Sequence, residues 1–124
     1  MCKGGIMHLI NCINIEIKKS KFIAYYYDIN SIKEAQKIIE NLWQENKKAR
    51  HIPYAYVLNN TARKSDDKEP SNTAGLPIYN VLIREHLDNK LIAVVRYFGG
   101  TKLGSGGLIR AYSEAANSVI KKEQ

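Results

Sequence analysis

Only two cysteines, three prolines and one tryptophan occur among the 124 residues. Cys2 and Cys12 are too few for a disulfide scaffold or a four-ligand zinc site, and two reduced thiols of a cytosolic protein are the expected state. No apolar run approaches the about 20 residues that a membrane-spanning helix needs, so no membrane association is expected. No continuous apolar stretch precedes Asn11, so the start of the chain does not read as a secretory signal. A cytoplasmic location is therefore expected. Repeats, low-complexity segments and linker-like stretches are also missing, and at this length a single domain over residues 1–124 is expected. With 44% hydrophobic and 25% charged residues, the chain is not a disordered one.

What the chain does have is positive charge. Nineteen Lys and Arg against twelve Asp and Glu give a net charge of +7. The excess is uneven: residues 51–90 balance at five and five, while residues 91–124 carry five basic and two acidic groups. A basic balance favours a polyanionic partner such as nucleic acid, because phosphate attraction is long-ranged and independent of sequence.

Apolar residues at 9, 13, 15 and 17 have the period of a half-buried strand, and Phe22–Asp28 reads as a second strand, after a break at Lys18-Lys19-Ser20. A helix follows. Ser31 and Glu34 can form a capping box, Ile32, Ala35, Ile39, Leu42 and Trp43 make its apolar face, and Lys47, Lys48 and Arg50 suit its C-terminal end. Residues 52–58 read as a third strand, with Pro53 at its start or on an edge. The polar stretch 59–72 reads as a long loop, Leu76–His86 as a short helix with Pro77 in its first turn, Leu91–Phe98 as a central strand, and about Gly106–Lys121 as a last helix. The expected fold class is α+β, a four-stranded sheet with helices mainly on one face.

Two segments concentrate chemistry. Between the last strand and last helix lie Gly99, Gly100, Gly104, Gly106 and Gly107. Glycines there let backbone N–H groups approach a ligand, and the helix start is an anion site in waiting. Arg96, Lys102 and Arg110 can add charge at its rim, with Ser105 within the loop. The competing account is a tight connection whose glycines solve packing alone. It is neither a Walker loop nor Gly-x-Gly-x-x-Gly. The second segment holds Asp66, Asp67 and Glu69, with Thr73 after them. Three carboxylates in four positions can chelate a metal or serve as acid and base, although such runs more often form a solvated loop that caps a helix. His51 is a candidate general base with no nucleophile at motif spacing. His8 and His86 read as surface residues. Tyr25-Tyr26-Tyr27 can stack on bases if exposed, but core packing is the better expectation.

Glu16-Ile17-Lys18-Lys19-Ser20-Lys21-Phe22-Ile23-Ala24, Arg50-His51 with Tyr54-Ala55-Tyr56, the stretch Asp66-Asp67-x-Glu69-Pro70-Ser71-x-Thr73-Ala74-Gly75-x-Pro77, and Arg96 to Tyr112 together resemble the IMPACT/YigZ family over about residues 10–120. The resemblance implies the fold of the second domain of ribosomal small-subunit protein five, with eukaryotic members that regulate translation through the activator of an initiation-factor kinase. For bacterial members it implies nucleic-acid or ribosome association without a settled activity. A peptidase label sometimes given to them finds no support in these residues. Three departures stand out: Pro53 where Cys is common, Lys68 and Asn72 where Gly is usual, and an end at Gln124 without the ferredoxin-like C-terminal domain common in bacterial relatives.

The leading expectation is a non-enzymatic binding protein for RNA or a ribosome- or translation-associated partner, contacting phosphate through Arg96, Lys102, Arg110 and the glycine loop, without cofactor or metal. One alternative is a protein or enzyme for a nucleotide or other phosphorylated ligand, with phosphate on Leu103–Gly107 (a faint likeness to the phosphate loop of the GHMP kinases) and Mg²⁺ on Asp66, Asp67 or Glu69. A second alternative is a protein-interaction module.

Overall fold

The computed structural model describes residues 8–121. Alternation builds the first hairpin: β1 (Leu9–Ile17) pairs antiparallel with β2 (Ser20–Asp28), and Ile17 opposite Ser20 leaves a two-residue turn at Lys18-Lys19. Helix α1 (Ile32–Glu45) starts as its capping residues require, with Ser31 Oγ accepting from Glu34 N–H; the Glu34 carboxylate reaches back one residue further than the usual box, to Asn30 N–H. It stops before the expected cations. Asn46 caps it, its Nδ2 donating to the Leu42 carbonyl, so Lys47, Lys48 and Arg50 lie beyond the last turn.

The sheet has five strands, not four. β3 (Tyr54–Leu58) turns through Asn59-Asn60 into β4 (Thr61–Ser65), then come α2 (Gly75–Arg84), β5 (Lys90–Tyr97) and α3 (Gly104–Ile120). The order is β1-β2-β5-β3-β4, antiparallel throughout. The missed strand is an edge whose residues are exposed or half-buried. An edge strand needs no apolar alternation, and Arg63 and Lys64 on it discourage pairing with another chain.

β5 is central and buried on both faces, as its apolar run implies. Ile92 and Val94 join Phe22, Ala24 and Tyr26 under α2 and α3, while Leu91, Ala93 and Val95 join Tyr25 and Tyr27 on the α1 side. Two helices therefore cover one face and α1 the other. The three consecutive tyrosines are at most 5% exposed and belong to the two cores, not to a base-stacking surface. Cys12 is half-buried on β1 against the α1-side core; Cys2 lies outside the described residues.

Candidate functional site

The topology sorts the connections between the two ends of the sheet. At the end where β1 finishes and β5 finishes lie the β1–β2 turn and the α1–β3, β4–α2 and β5–α3 connections. They carry seven exposed cations: Lys18, Lys19, Lys47, Lys48, Arg50, Lys68 and Lys102. Their three carboxylates, Asp66, Asp67 and Glu69, are half-buried or buried and already engaged. The connections at the other end, 29–31, 59–60 and 85–89, hold Glu85 and Asp88 and no Lys or Arg. The connections are thus polarised in charge, with Phe98, 37% exposed, among the cations of the basic end and the Arg50 guanidinium 4.7 Å from its ring centroid.

Lys18 and Lys19 sit at φ 48° and 73°. A two-residue hairpin turn wants positive φ, which suits Asn-Gly; in a side-chain-bearing residue it costs about 1–2 kcal/mol. Gly99 is what lets the β5–α3 connection lie against this turn, because a Cβ there would fall 1.9 Å from the Lys19 carbonyl oxygen. Gly99 therefore serves packing. Gly104 is different: it stands at φ 75° in open space, setting the path into α3.

Beside the turn is a cleft of about 400 Å³, lined among others by His51, Glu69, Arg96, Lys102, Gly104 and Ser105. Arg96 is not the rim cation expected from sequence. It is 5% exposed, and its Nη1 donates to Glu69 Oε2 at 2.7 Å, with Ser20 Oγ 3.5 Å from Nη2. Tyr112 Oη donates to the same Glu69 oxygen at 2.6 Å, and burial first, then the Glu69 charge, push its phenol well above the ordinary tyrosine range. His51 Nδ1 lies 2.7 Å from the Asp67 carbonyl. A carbonyl only accepts, so Nδ1 carries the proton and Nε2 is turned toward Glu69 Oε1, 3.7 Å away. The buried Glu69–Arg96 pair lines the cleft, and Tyr112 backs it from the core.

The acidic loop does not gather its carboxylates. Asp66 Oδ1 accepts from Ala74 and Gly75 N–H and Oδ2 from Asn72 N–H, at the start of α2, while Asp67 Oδ2 accepts from Ile52 N–H. Thr73 Oγ1 donates to the Pro70 carbonyl. Among the described residues no three His, Cys, Asp or Glu side chains converge as a metal site. Lys68 and Asn72 stand at φ 71° and 64°, so the usual glycine geometry is taken up by side-chain-bearing residues. Arg110 does not line this cleft; it lines a neighbouring hollow with Lys18, Leu103, Gly107 and Glu114. Gly106 and Gly107 lie inside the first turns of α3 and Gly100 in the preceding loop at φ 91°. His8 and His86 are exposed.

Tyr112, Ser20 and the turn lysines were legible in the sequence only as motif and turn residues, not as members of a site. For the last a signal existed: two lysines where a tight turn would take Asn-Gly.

The model of the Impact N-terminal domain matches residues 18–120. The chain belongs to that family. It is similar to the IMPACT family member YvyE of Bacillus subtilis (strain 168), 41% identical over 109 residues, covering 86% of this chain and 50% of that protein. A crystal structure of a hypothetical protein matches 89% of this chain and 56% of its own with TM-score 0.86 at 34% identity. A structure of the two-domain translational regulator Yih1 shares the fold, with TM-score 0.54 at 19% identity over 90% of this chain and 45% of that one. The chain thus spans about half the length of the curated relatives it matches.

Proposed function

We propose that this IMPACT family chain is a non-enzymatic binding protein for RNA or a ribosome-associated, translation-linked partner, and that it meets a polyanion with its basic end. The observation that carries this is the Lys18-Lys19 turn. Two lysines hold backbone angles that Asn-Gly would take at less cost, at the one end where seven exposed cations gather. Strain kept in a folded protein points toward use. The likeness to a regulator of translation fits such a partner. The carboxylates that catalysis would call on are occupied by backbone N–H groups and by Arg96, which favours binding over turnover.

The test is Lys18→Asn/Lys19→Gly, measured by fluorescence anisotropy with a single-stranded RNA at several salt concentrations. The turn then carries residues it prefers, so the variant melts at or above the wild-type temperature while affinity falls. The slope of log affinity against log salt drops by about 0.7 for each phosphate of a single strand that the turn no longer neutralises. Unchanged affinity in this folded variant, or wild-type binding indifferent to salt, refutes the electrostatic account. Binding to a ribosomal fraction that survives nuclease treatment would transfer the basic end to an acidic protein partner.

A further inference from the structure

We propose that a hollow on the α1 side of the sheet, at its basic end, seats one unstacked base of a single-stranded nucleic acid. The proposal rests on the polyanion reading above and adds what the lysines alone do not specify: the form of the strand and a contact to a base.

The hollow follows from the length of α1. Pairing puts Lys21, Ile23 and Tyr25 of β2 on the α1 side, with Val95 and Tyr97 of β5 beside them. Tyr25 and Val95 are buried, yet Ile23 and Tyr97 are only half-buried and Lys21 is exposed. The helix has stopped at Glu45, and the last rows of the sheet are left partly uncovered. What remains is a hollow of about 350 Å³, with Asn14, Lys19, Lys21, Ile23, Tyr97 and Phe98 in its lining. That volume lies at the lower end of the about 300–1,000 Å³ of small-ligand sites. It suits a base with its sugar and not a length of duplex, whose bases are closed between their neighbours.

Two rings and several cations meet there. Tyr97 Oη donates to Asn46 Oδ1, so the polar atom of this side chain is spent inside the protein and its ring is held in one orientation. Phe98 is 37% exposed, and its ring is fixed by the Arg50 and Arg96 guanidinium groups, 4.7 and 5.7 Å from the centroid. Fixed, partly exposed rings beside a positively charged track are how proteins hold a single strand, because every base has a π-face to set against them. Asn14, exposed, brings an amide to the wall. The charge is complementary to a phosphate backbone: residues 14–23 and 45–48 carry Lys18, Lys19, Lys21, Lys47 and Lys48 against Glu16 and Glu45.

A single-stranded RNA and the same strand made abasic throughout have equal charge, and fluorescence anisotropy compares them. The wild type is expected to bind the complete strand at least about fivefold tighter, since a base on an aromatic ring contributes that much or more. Phe98→Leu should bring the two affinities together. It removes no charge, so the affinity for the abasic strand and the salt slope stay as they were. Phe98→Tyr keeps the ratio, and thermal melts show whether both variants are folded. Photocrosslinking of a thiouridine-substituted strand to the wild type places the base without any substitution, and is expected on Tyr97, Phe98 or residues 21–25. The same sequence as DNA separates the sources: equal affinity assigns the hollow to any single strand, tighter RNA to a strand read through its ribose as well, and both support the proposal. A wild-type ratio of about one, a ratio that survives Phe98→Leu, or crosslinks confined to other segments overturns it. A ratio of about one with salt-sensitive binding leaves the basic-end reading standing, whereas a base-dependent ratio with salt-indifferent binding removes that reading alone. Binding to neither strand overturns both.

Discussion

Replacing Arg96 by Met is expected to be among the most damaging single changes in this chain, for reasons that have nothing to do with ligand binding. The side chain is 6% exposed and its Glu69 partner 2%. Without the guanidinium, the Glu69 carboxylate keeps only the Tyr112 hydroxyl and a histidine nitrogen 3.7 Å away as partners among the described residues. Breaking a buried pair from one side costs about 3–5 kcal/mol, a large part of the about 5–15 kcal/mol that holds a domain together. At about 4 °C per kcal/mol for a chain of this size, the melting temperature should fall by about 12–20 °C. Arg96→Met/Glu69→Leu removes both charges but strands the Tyr112 hydroxyl, at about 1–3 kcal/mol. Adding Tyr112→Phe removes that group too, and the triple variant should lie within about 2 kcal/mol of wild type. Urea titrations followed by circular dichroism give all three values. If Arg96→Met loses less than about 1 kcal/mol, or the triple variant is as unstable as its parts added together, the pair is not a buried, coupled unit. The practical corollary is that an Arg96→Ala variant cannot report on nucleic-acid binding, since a weaker complex would follow from a damaged fold.

Four other outcomes are expected. Gly99→Ala must push the β1–β2 turn away from its Cβ and should cost more than the about 1–3 kcal/mol of ordinary overpacking, whereas Gly100→Ala, in open space at φ 91°, should cost only about 1–2 kcal/mol; paired thermal melts decide the order. Asp66→Ala frees three N–H groups at the start of α2 and should cost about 2 kcal/mol in the same assay. Lys68→Gly relieves the positive φ and should gain up to about 1 kcal/mol after the entropy of glycine is charged against it. In alkali, Tyr112 and Tyr27, held protonated chiefly by burial, should make stability fall as pH rises past the ordinary value of 10.0: the unfolded phenols ionise there while the folded ones do not, so each contributes about 1.4 kcal/mol per pH unit. Tyr112→Phe should flatten that slope, and an unchanged slope would count against its buried, protonated state.

Local signals settled most of the architecture. The alternation over residues 9–17 marked β1 to its ends, and Ser31 and Glu34 marked the start of α1. What failed was whatever depended on a distant partner. β4 carries no apolar period because, at an edge, hydrogen bonding to β3 alone defines it. The C-terminal end of α1 is fixed by Asn46, whose Oδ1 accepts from Tyr97 Oη, a residue 51 positions away. Arg96 was misplaced although strand parity held the answer: Ile92 and Val94 face α2 and α3, so the side chain two residues on faces them too. A cation at that parity must either end the core or bring a carboxylate into it. Glu69 is that carboxylate, from a loop that looked solvated.

Strand parity also separates the two kinds of positive charge in this molecule. Cations on the connections are free to meet a partner, because antiparallel pairing delivers four connections to one end and leaves their side chains in water. Arg96, on the inner face of β5, is committed to the fold, and Glu69 neutralises it at the wall of the cleft. A mutational series that pools Arg96 with the lysines would mix a folding defect with a binding defect. A series that keeps to Lys18, Lys19 and Lys102 reads the surface contribution by itself.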